Sequence, residues 1–281
     1  MFRIPPCLPA LACLLTLASA QLQAQDSSDA MATLRQTFLD AAKQIRFSTA
    51  EAATNFRLID DPLLNWSNPV RTTPGGALFL WVQDKRPVVA MCKFSNGINV
   101  IASEFQSLSD RQFTMQIDGK THWRPAKPGV EMRPVPMTNT GNATIASTAS
   151  ARLRQMRSIA REFSAELVPS NRNPTQLRMM SSPAYRYENA GGSGEILDGA
   201  LFLFSLGTDP EVMLVIETLP DPSGTQRWHY GIARMSVVPS LVHYNDTVVW
   251  QTQTAQAKNP SSTYFLINES QPDDAVIEIF E

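Results

Sequence analysis

Gly76-Ala-Leu-Phe-Leu-Trp81 and Gly199-Ala-Leu-Phe-Leu-Phe204 are nearly the same hexapeptide, separated by an offset of 123 residues. Further matches flank the two copies in the same order along the chain, and the offset only grows, from 119 at the first match to 127 at the last. Because insertions accumulate in surface loops at little cost, this pattern predicts an ancient duplication of most of the chain. The matched positions outside the hexapeptides are Leu34 with Leu153, Arg57 with Arg178, Trp66 with Tyr187, Phe105 with Trp228, and Trp123 with Trp250.

Each copy begins with the spacing of an amphipathic helix and continues with strand-like segments. Apolar residues recur at steps of three and four over 31–45 and over 153–167, and Thr148 or Ser150 is available as the N-cap of the second helix. The strand-like segments are joined by short turns such as Asp118-Gly119, which favour antiparallel neighbours. The sequence therefore predicts an α+β fold in which each repeat is a helix followed by an antiparallel β-meander, with the two repeats packed around an approximate two-fold axis.

Composition divides the chain into five segments. Arg3, a short apolar run and Ala18-Ser19-Ala20 predict a secretory signal that is cleaved after Ala20 or a few residues later. The closely spaced prolines after the first repeat favour an extended connector that stays out of a sheet interior, and the polar tail is expected either to be partly disordered or to add an edge strand. The segments are the signal at 1–20, the first repeat at 28–123, the connector at 124–148, the second repeat at 149–250 and the tail at 251–281.

Charge and cysteine content restrict the class of protein. The chain has 24 Lys and Arg residues against 26 Asp and Glu residues and lacks a basic stripe, which excludes nucleic acid as an expected partner. No segment after the signal has the length of apolar sequence needed to span a bilayer, so we expect a periplasmic or secreted protein. Cys92 is the one cysteine outside the signal, and its apolar surroundings in sequence predict a buried, unreactive thiol.

Motifs that carry known chemistry are incomplete. Gly119-Lys120-Thr121 resembles part of a phosphate-binding loop, but Thr114 stands where that loop needs glycine and a strand-like segment follows instead of a helix. The three histidines do not have metal-ligand spacing, and the chain lacks a Gly-x-Ser-x-Gly elbow. We therefore expect no cofactor and no metal, and we assign no catalytic residue.

Charged residues inside apolar strands need partners because an unpaired buried charge is costly. Glu217 ends one apolar run and Arg234 lies in the next strand-like segment. The sequence allows two interpretations, a structural ion pair between neighbouring strands or a polar pocket.

Seven short motifs occur together along roughly residues 55–250. They are Trp66-Ser-Asn-Pro-Val-Arg71, Gly75-Gly-Ala-Leu-Phe-Leu-Trp81, Glu104-Phe-Gln-Ser-Leu108, Ala151-Arg-Leu-Arg-Gln-Met156, Ala160-Arg-Glu-Phe-Ser164, Leu197-Asp-Gly-Ala-Leu-Phe202 and Gly207-Thr-Asp-Pro-Glu211. In this combination the chain resembles a secreted protein family that recurs in planctomycete bacteria and has no assigned activity. The resemblance implies export and a shared fold, without functional residues to carry over.

Two functional hypotheses follow. The first is an exported, non-catalytic binding or structural protein of the cell envelope, whose partner is an unknown protein or envelope component. The alternative is a hydrolase that uses carboxylates such as Glu104, Asp198 or Glu217 in a cleft between the repeats. Function acquired after a duplication is expected at positions where the copies differ, and these predict a binding site near the junction formed by Arg71, Glu104, His122, Asp198 and Arg227.

Overall fold

The computed structural model describes residues 31–49, 56–68, 73–95, 100–136, 144–191 and 195–270. Within them the protein is mostly β, with four antiparallel sheets and two helices. The predicted α+β class, with each repeat a helix followed by one meander, is therefore wrong. The strands of each half do not form a single meander, because they divide between one large sheet and one small sheet. The predicted signal, 1–20, lies outside the described residues.

The first half contains a helix and eight strands. The helix α1 spans residues 31–44. The strands are β1 (Arg46–Ser48), β2 (Arg57–Leu58), β3 (Leu64–Asn68), β4 (Thr73–Gln83), β5 (Arg86–Ser95), β6 (Val100–Ser107), β7 (Thr114–Ile117) and β8 (Lys120–Trp123).

The rest of the described chain contains the second helix and eleven strands. The helix α2 spans Ala149–Arg161. The strands are β9 (Arg133–Pro134), β10 (Phe163–Leu167), β11 (Thr175–Gln176), β12 (Arg178–Met179), β13 (Tyr185–Ala190), β14 (Ile196–Leu206), β15 (Asp209–Pro220), β16 (Gln226–Arg234), β17 (Ser240–Tyr244), β18 (Thr247–Gln251) and β19 (Tyr264–Ser270).

Two six-stranded sheets form the centre of the molecule. The first large sheet has the order β19-β6-β5-β4-β2, with β3 also paired to β4, and the second has the order β12-β14-β15-β16-β9, with β13 also paired to β14. The small sheets have the orders β1-β7-β8 and β11-β10-β17-β18. Each small sheet, together with one helix, contributes to the apolar cluster on the outer face of one large sheet.

The repeated hexapeptides are buried on both faces, which explains why they are apolar at every position after glycine. In β4, Phe79 and Trp81 belong to the outer core of the first half, which also contains residues of α1 and β7. Leu78 and Leu80 point the other way, into a central core that they share with Leu201 of β14. The central core therefore lies between the two large sheets and holds the halves together.

Glycine begins both hexapeptides because an aromatic ring lies against it. Gly76 pairs with Trp66 of β3, and Gly199 pairs with Tyr187 of β13. A Cβ atom added at either glycine would lie 2.4 Å from the nearest ring atom, which is much closer than van der Waals contact. The two rings thus require a residue without a side chain on the neighbouring strand.

The β5–β6 hairpin of the first half and the β15–β16 hairpin of the second half pair in different registers. Glu104 of β6 pairs with Cys92. Val215, the sequence match of Cys92, lies on β15, and Arg227 pairs with Leu219, four residues beyond it. Val215 pairs instead with Gly231, so the sequence comparison of Glu104 with Arg227 is wrong by four residues, because the β15–β16 hairpin is four residues longer than the β5–β6 hairpin when both are measured from these equivalent pairs.

The second helix is shorter than its apolar spacing predicts. It ends at Arg161, and the predicted helical positions Phe163 and Leu167 lie in strand β10. Alternate residues of β10 are buried, which is the period of a strand. The predicted N-cap is confirmed at Thr148, whose side chain accepts a hydrogen bond from the backbone N–H of Ala151 at 3.3 Å.

The connector and the tail both add strands at sheet edges. In the connector, β9 pairs with β16, and Val130 is buried in the central core. In the tail, β19 pairs with β6 along seven residues. Residues 137–143 and 271–281 are outside the described residues. None of the described helices is long and apolar enough to cross a membrane.

Candidate functional site

The structure does not bring the predicted site residues together. Asp198 is 0% exposed and lies on the outer face of the second large sheet. Its carboxylate accepts hydrogen bonds from Arg152 of α2 at 2.8 Å and from Arg186 of β13 at 2.7 and 3.0 Å. Two guanidinium groups therefore satisfy this buried charge, and Asp198 connects the helix to the sheet.

Glu217 has a different partner from the one that the sequence indicated. It is 0% exposed and faces the central side of the second large sheet, where it accepts hydrogen bonds from Arg86 at 2.8 and 3.2 Å. The hydroxyl group of Tyr187 donates a third bond at 2.6 Å. Arg234 pairs with Val212, whose side chain lies in the outer core, so Arg234 projects from the opposite face of the sheet. The predicted pairing of Glu217 with Arg234 is wrong for this reason.

Glu104 lies on the central face of the first large sheet, close to Tyr264 and Arg234. Burial and the nearby Glu104 carboxylate raise the pKa of Tyr264. The guanidinium carbon of Arg234 lies 5.4 Å from the centre of the Tyr264 ring. Burial lowers the pKa of Arg234, and its guanidinium group donates to backbone carbonyl oxygens, including that of Ser236 at 2.7 Å. Arg234, at the end of β16, thus lies beside Tyr264 at the start of β19.

The remaining predicted site residues lie elsewhere. Arg227 is exposed and forms an ion pair with Asp221 at 2.7 Å. Arg71 is outside the described residues. His122 of β8 is half-buried and lines a cavity in the first half. Glu104, Asp198 and Arg227 do not line this cavity, so the described members of the predicted site do not meet in it.

The cavity that contains His122 lies between α1, the β7–β8 hairpin and the outer face of the first large sheet. We call it the α1 cavity. Its volume is about 460 Å³. The sheet contributes Met91, Lys93, Ser103, Phe105, Ile267 and Glu269, the helix side contributes Ala41, Gln44 and Ile45, and the hairpin contributes Ile117, Asp118, Lys120 and His122.

A lysine in the floor of the α1 cavity is almost completely buried. The side chain of Lys93 is 3% exposed, and its ammonium group contacts both carboxylate oxygens of Glu269 at 2.8 and 2.9 Å. It also donates to the hydroxyl oxygen of Ser103 at 3.0 Å, and Ser103 in turn donates to Glu269 at 3.3 Å. The three side chains come from β5, β6 and β19 and form one network of charge-assisted hydrogen bonds.

The corresponding place in the second half is filled by core residues. Lys93 pairs with Ala77 on one side and with Ser103 on the other. In the second half the residue paired in the same way with Ala200 is Ile216, and its other neighbour is Tyr230. Both Ile216 and Tyr230 belong to the outer core of that half. The ionic floor is thus a property of the first half.

The α1 cavity combines an apolar interior with balanced charge. Lys93 and Lys120 supply two positive charges, and Asp118 and Glu269 supply two negative charges, so the lining has no formal net charge when His122 is neutral. Such a cavity can hold the apolar part of a small molecule and hydrogen-bond its polar end. Among the described residues, no group of three or more His, Cys, Asp or Glu side chains is arranged to hold a metal ion.

Lys93 and Glu269 are the site residues that sequence reasoning missed. The signal available in the sequence was weak, since Lys93 is a charge near the end of the apolar run Val88-Val-Ala-Met-Cys-Lys-Phe94. A lysine at the end of a strand normally reaches solvent along its apolar stem. Its burial depends on the tail strand β19, and Glu269 is 176 residues away in the chain.

Cys92 is buried as the sequence predicted. It is 1% exposed in the central core, and its pKa is raised well above the ordinary value by burial and by the nearby carboxylates of Asp209, Glu104 and Glu211. Because the thiolate is the nucleophile, we expect the native protein without residues 1–20 to react with DTNB at a negligible rate, and the urea-unfolded protein to release one equivalent of chromophore. Rapid reaction of the native protein would contradict this burial.

Comparisons of the chain with protein-family models, with curated proteins and with solved structures each gave no match.

Proposed function

We propose that this protein is a non-catalytic binding protein exported to the cell envelope, and that it holds a small amphipathic ligand in the α1 cavity. The observation that carries the proposal is a cavity of about 460 Å³ with an ionic floor, at a place that core residues fill in the other half. Small-molecule sites in proteins have volumes of about 300–1,000 Å³ and combine apolar lining with a few polar groups.

The lining matches a ligand with an apolar body. Met91, Phe105 and Ile45 are buried, and Ile117 and Ile267 are partly buried at the sides. An apolar ligand that enters the cavity removes its own surface, and the exposed parts of Ile117 and Ile267, from water, which contributes about 25 cal/mol per Å² of apolar area buried. The polar end of the ligand then meets Lys93, Ser103, Glu269 or His122 without having to leave a buried polar group unpaired.

The alternative hydrolase in a cleft between the halves has less support. A carboxylate that acts as general acid or base must reach the substrate. Asp198 and Glu217 are 0% exposed and already accept hydrogen bonds from arginines, and Glu104 lies close enough to the buried Tyr264 to raise its pKa. The described carboxylates that this alternative names therefore have structural partners.

Export is proposed from the N-terminal sequence. Residues 1–20 have the positive start, the apolar run and the small-residue cleavage site of a secretory signal. N-terminal sequencing of the protein recovered from cell fractions tests this part. Recovery of the protein only from the cytoplasm, with Met1 still at its N-terminus, would contradict it.

A large side chain at Ala41 is expected to close the α1 cavity. Ala41 lines the cavity on α1 and is partly buried. We expect Ala41→Trp to weaken binding of the neutral apolar probe N-phenyl-1-naphthylamine about tenfold or more, as measured by the increase in probe fluorescence. Ala32→Trp is the matched control, because Ala32 is exposed on the same helix and does not line the cavity. Equal binding by the native protein and both variants, or no binding by any of them, would contradict the proposed function.

A further inference from the structure

The α1 cavity has a carboxylate already in contact with its buried lysine, and this contact indicates what kind of ligand the cavity takes. Glu269 places both of its oxygens within 2.9 Å of the Lys93 ammonium group. Ser103 donates a further hydrogen bond to one of these oxygens. The floor of the cavity is therefore a set of donors that fits one carboxylate group.

The two members of this ion pair differ greatly in exposure. The side chain of Lys93 is 3% exposed, whereas that of Glu269 is 43% exposed. If the pair separates, Glu269 gains water in place of its lost partner, but Lys93 stays in the cavity floor and requires another anion. Glu269 can therefore leave Lys93 with little loss of free energy, because water solvates its carboxylate. Lys93 cannot remain unpaired, so a second carboxylate has to take the place of Glu269.

A sheet of this kind does not need a lysine at this position for its stability. The equivalent place in the second half holds Ile216, which packs among apolar and aromatic residues of the outer core. Replacing buried ion pairs with apolar residues of similar size is often neutral or stabilising. A lysine at this position therefore points to a role other than stability.

We propose that the α1 cavity binds amphipathic carboxylates, with the ligand carboxylate replacing Glu269 on Lys93 and Ser103. This inference rests on the proposed binding function and names its ligand class. Glu269 acts as an internal competitor that occupies the lysine while the cavity is empty. The apolar chain of the ligand lies against Met91, Phe105 and Ile267.

The test compares two probes of the same chain length, decanoate and 1-decanol, by isothermal titration below their aggregation concentrations. The native protein is expected to bind decanoate more tightly than 1-decanol. Lys93→Met is expected to weaken decanoate binding about tenfold or more while leaving 1-decanol binding within about threefold, because only the carboxylate uses the lysine. Glu269→Gln is expected to strengthen decanoate binding about tenfold through loss of the competitor, again without a comparable change for 1-decanol.

Far-UV circular dichroism and urea unfolding check that both variants are folded, and Ser103→Ala provides a milder change if Lys93→Met is not. Ser103→Ala is expected to weaken decanoate binding about threefold to tenfold through loss of one donor. Equal affinity for the two probes in the native protein and in both charge variants would overturn the ligand class while leaving the cavity as a binding site. Failure of both probes to bind, together with no effect of Ala41→Trp on the apolar probe, would instead overturn the proposed function.

Discussion

Replacing Arg86 with alanine is expected to lower the free energy of unfolding by about 3–5 kcal/mol. Arg86 begins β5 in the first half and forms two hydrogen bonds with Glu217 of β15, at 2.8 and 3.2 Å. Burial alone lowers the pKa of Arg86, but the Glu217 carboxylate raises it above its ordinary value. Removal of the arginine leaves Glu217, which is 0% exposed, with the hydroxyl group of Tyr187 as its remaining hydrogen-bond donor among the described side chains. Urea unfolding followed by circular dichroism measures the loss.

Two matched variants separate the buried charge from general effects of the substitution. Arg227→Ala removes an arginine whose ion pair with Asp221 is at the surface, so we expect a loss below about 1 kcal/mol. Tyr187→Phe removes one hydrogen bond to the Glu217 carboxylate and leaves the arginine in place, so we expect about 1.5–3 kcal/mol. A loss for Arg86→Ala no larger than that for Arg227→Ala would show that the ion pair does not hold the two large sheets together.

The strands at the centre of the molecule could be predicted from the sequence because their apolar runs are continuous. The strand-like segments at 77–82, 88–94, 200–205 and 212–219 all lie within strands of the two large sheets. Strands that are buried on both faces carry apolar residues at nearly every position. The two hexapeptides have this pattern, and they are too short to be buried helices, so they identify the central strands.

The fold class was wrong because the sequence does not state which strands share a sheet. The β7–β8 hairpin was predicted from the turn Asp118-Gly119, where both residues have positive φ angles, of 48° and 72°. Its partner in the small sheet is β1, a strand of three residues that follows α1 directly. Three residues are too few to show the alternation of buried and exposed side chains that identifies a strand. The pairing of β1 with β7, which is distant in the sequence, depends on the packing of the outer core.

The candidate site was predicted only in part for a related reason. His122 was selected because it differs from its sequence match, and it does line the α1 cavity. Glu217 was selected as a charge inside a strand, and it is an ion-pair residue, but its partner comes from the other half of the chain. Side chains alternate between the two faces of a strand, so the sequence indicates which face a charged residue occupies. The residue of another sheet that pairs with it depends on tertiary packing. Lys93 and Glu269 therefore became recognisable only once β19 was placed beside β6.

Replacing Trp123 with alanine is the second substitution with a large expected effect, a loss of about 3–5 kcal/mol in the free energy of unfolding. Trp123 is 0% exposed in the outer core of the first half. Its ring stacks with Phe265 at a centroid distance of 6.2 Å and meets Phe113 edge to face at 5.0 Å. The indole N–H donates to the carbonyl oxygen of Ser262 at 2.7 Å, just before β19 begins. Alanine leaves a cavity between the hairpin and the tail strand.

Two control variants accompany this prediction, one at Trp250 and one that replaces Trp123 with a smaller aromatic residue. Trp250, the sequence match of Trp123, is only partly buried against its outer core, so Trp250→Ala is expected to cost about 1–2 kcal/mol. Trp123→Phe keeps an aromatic ring but loses the hydrogen bond to Ser262, and we expect a loss of about 1–2 kcal/mol. Equal losses for the two alanine variants would contradict the difference in burial.

Trp123 also connects stability with the α1 cavity, because β19 carries Glu269 and Ile267 in the cavity lining. Phe265 on the same strand is one of the rings that Trp123 holds in place. Loss of the tryptophan is therefore expected to weaken apolar-probe binding even at temperatures where the variant remains folded, whereas Trp250→Ala is expected to leave probe binding unchanged. Full probe affinity in folded Trp123→Ala would mean that the cavity floor keeps its shape without this contact, and that the pairing of β19 with β6 is sufficient to position Glu269.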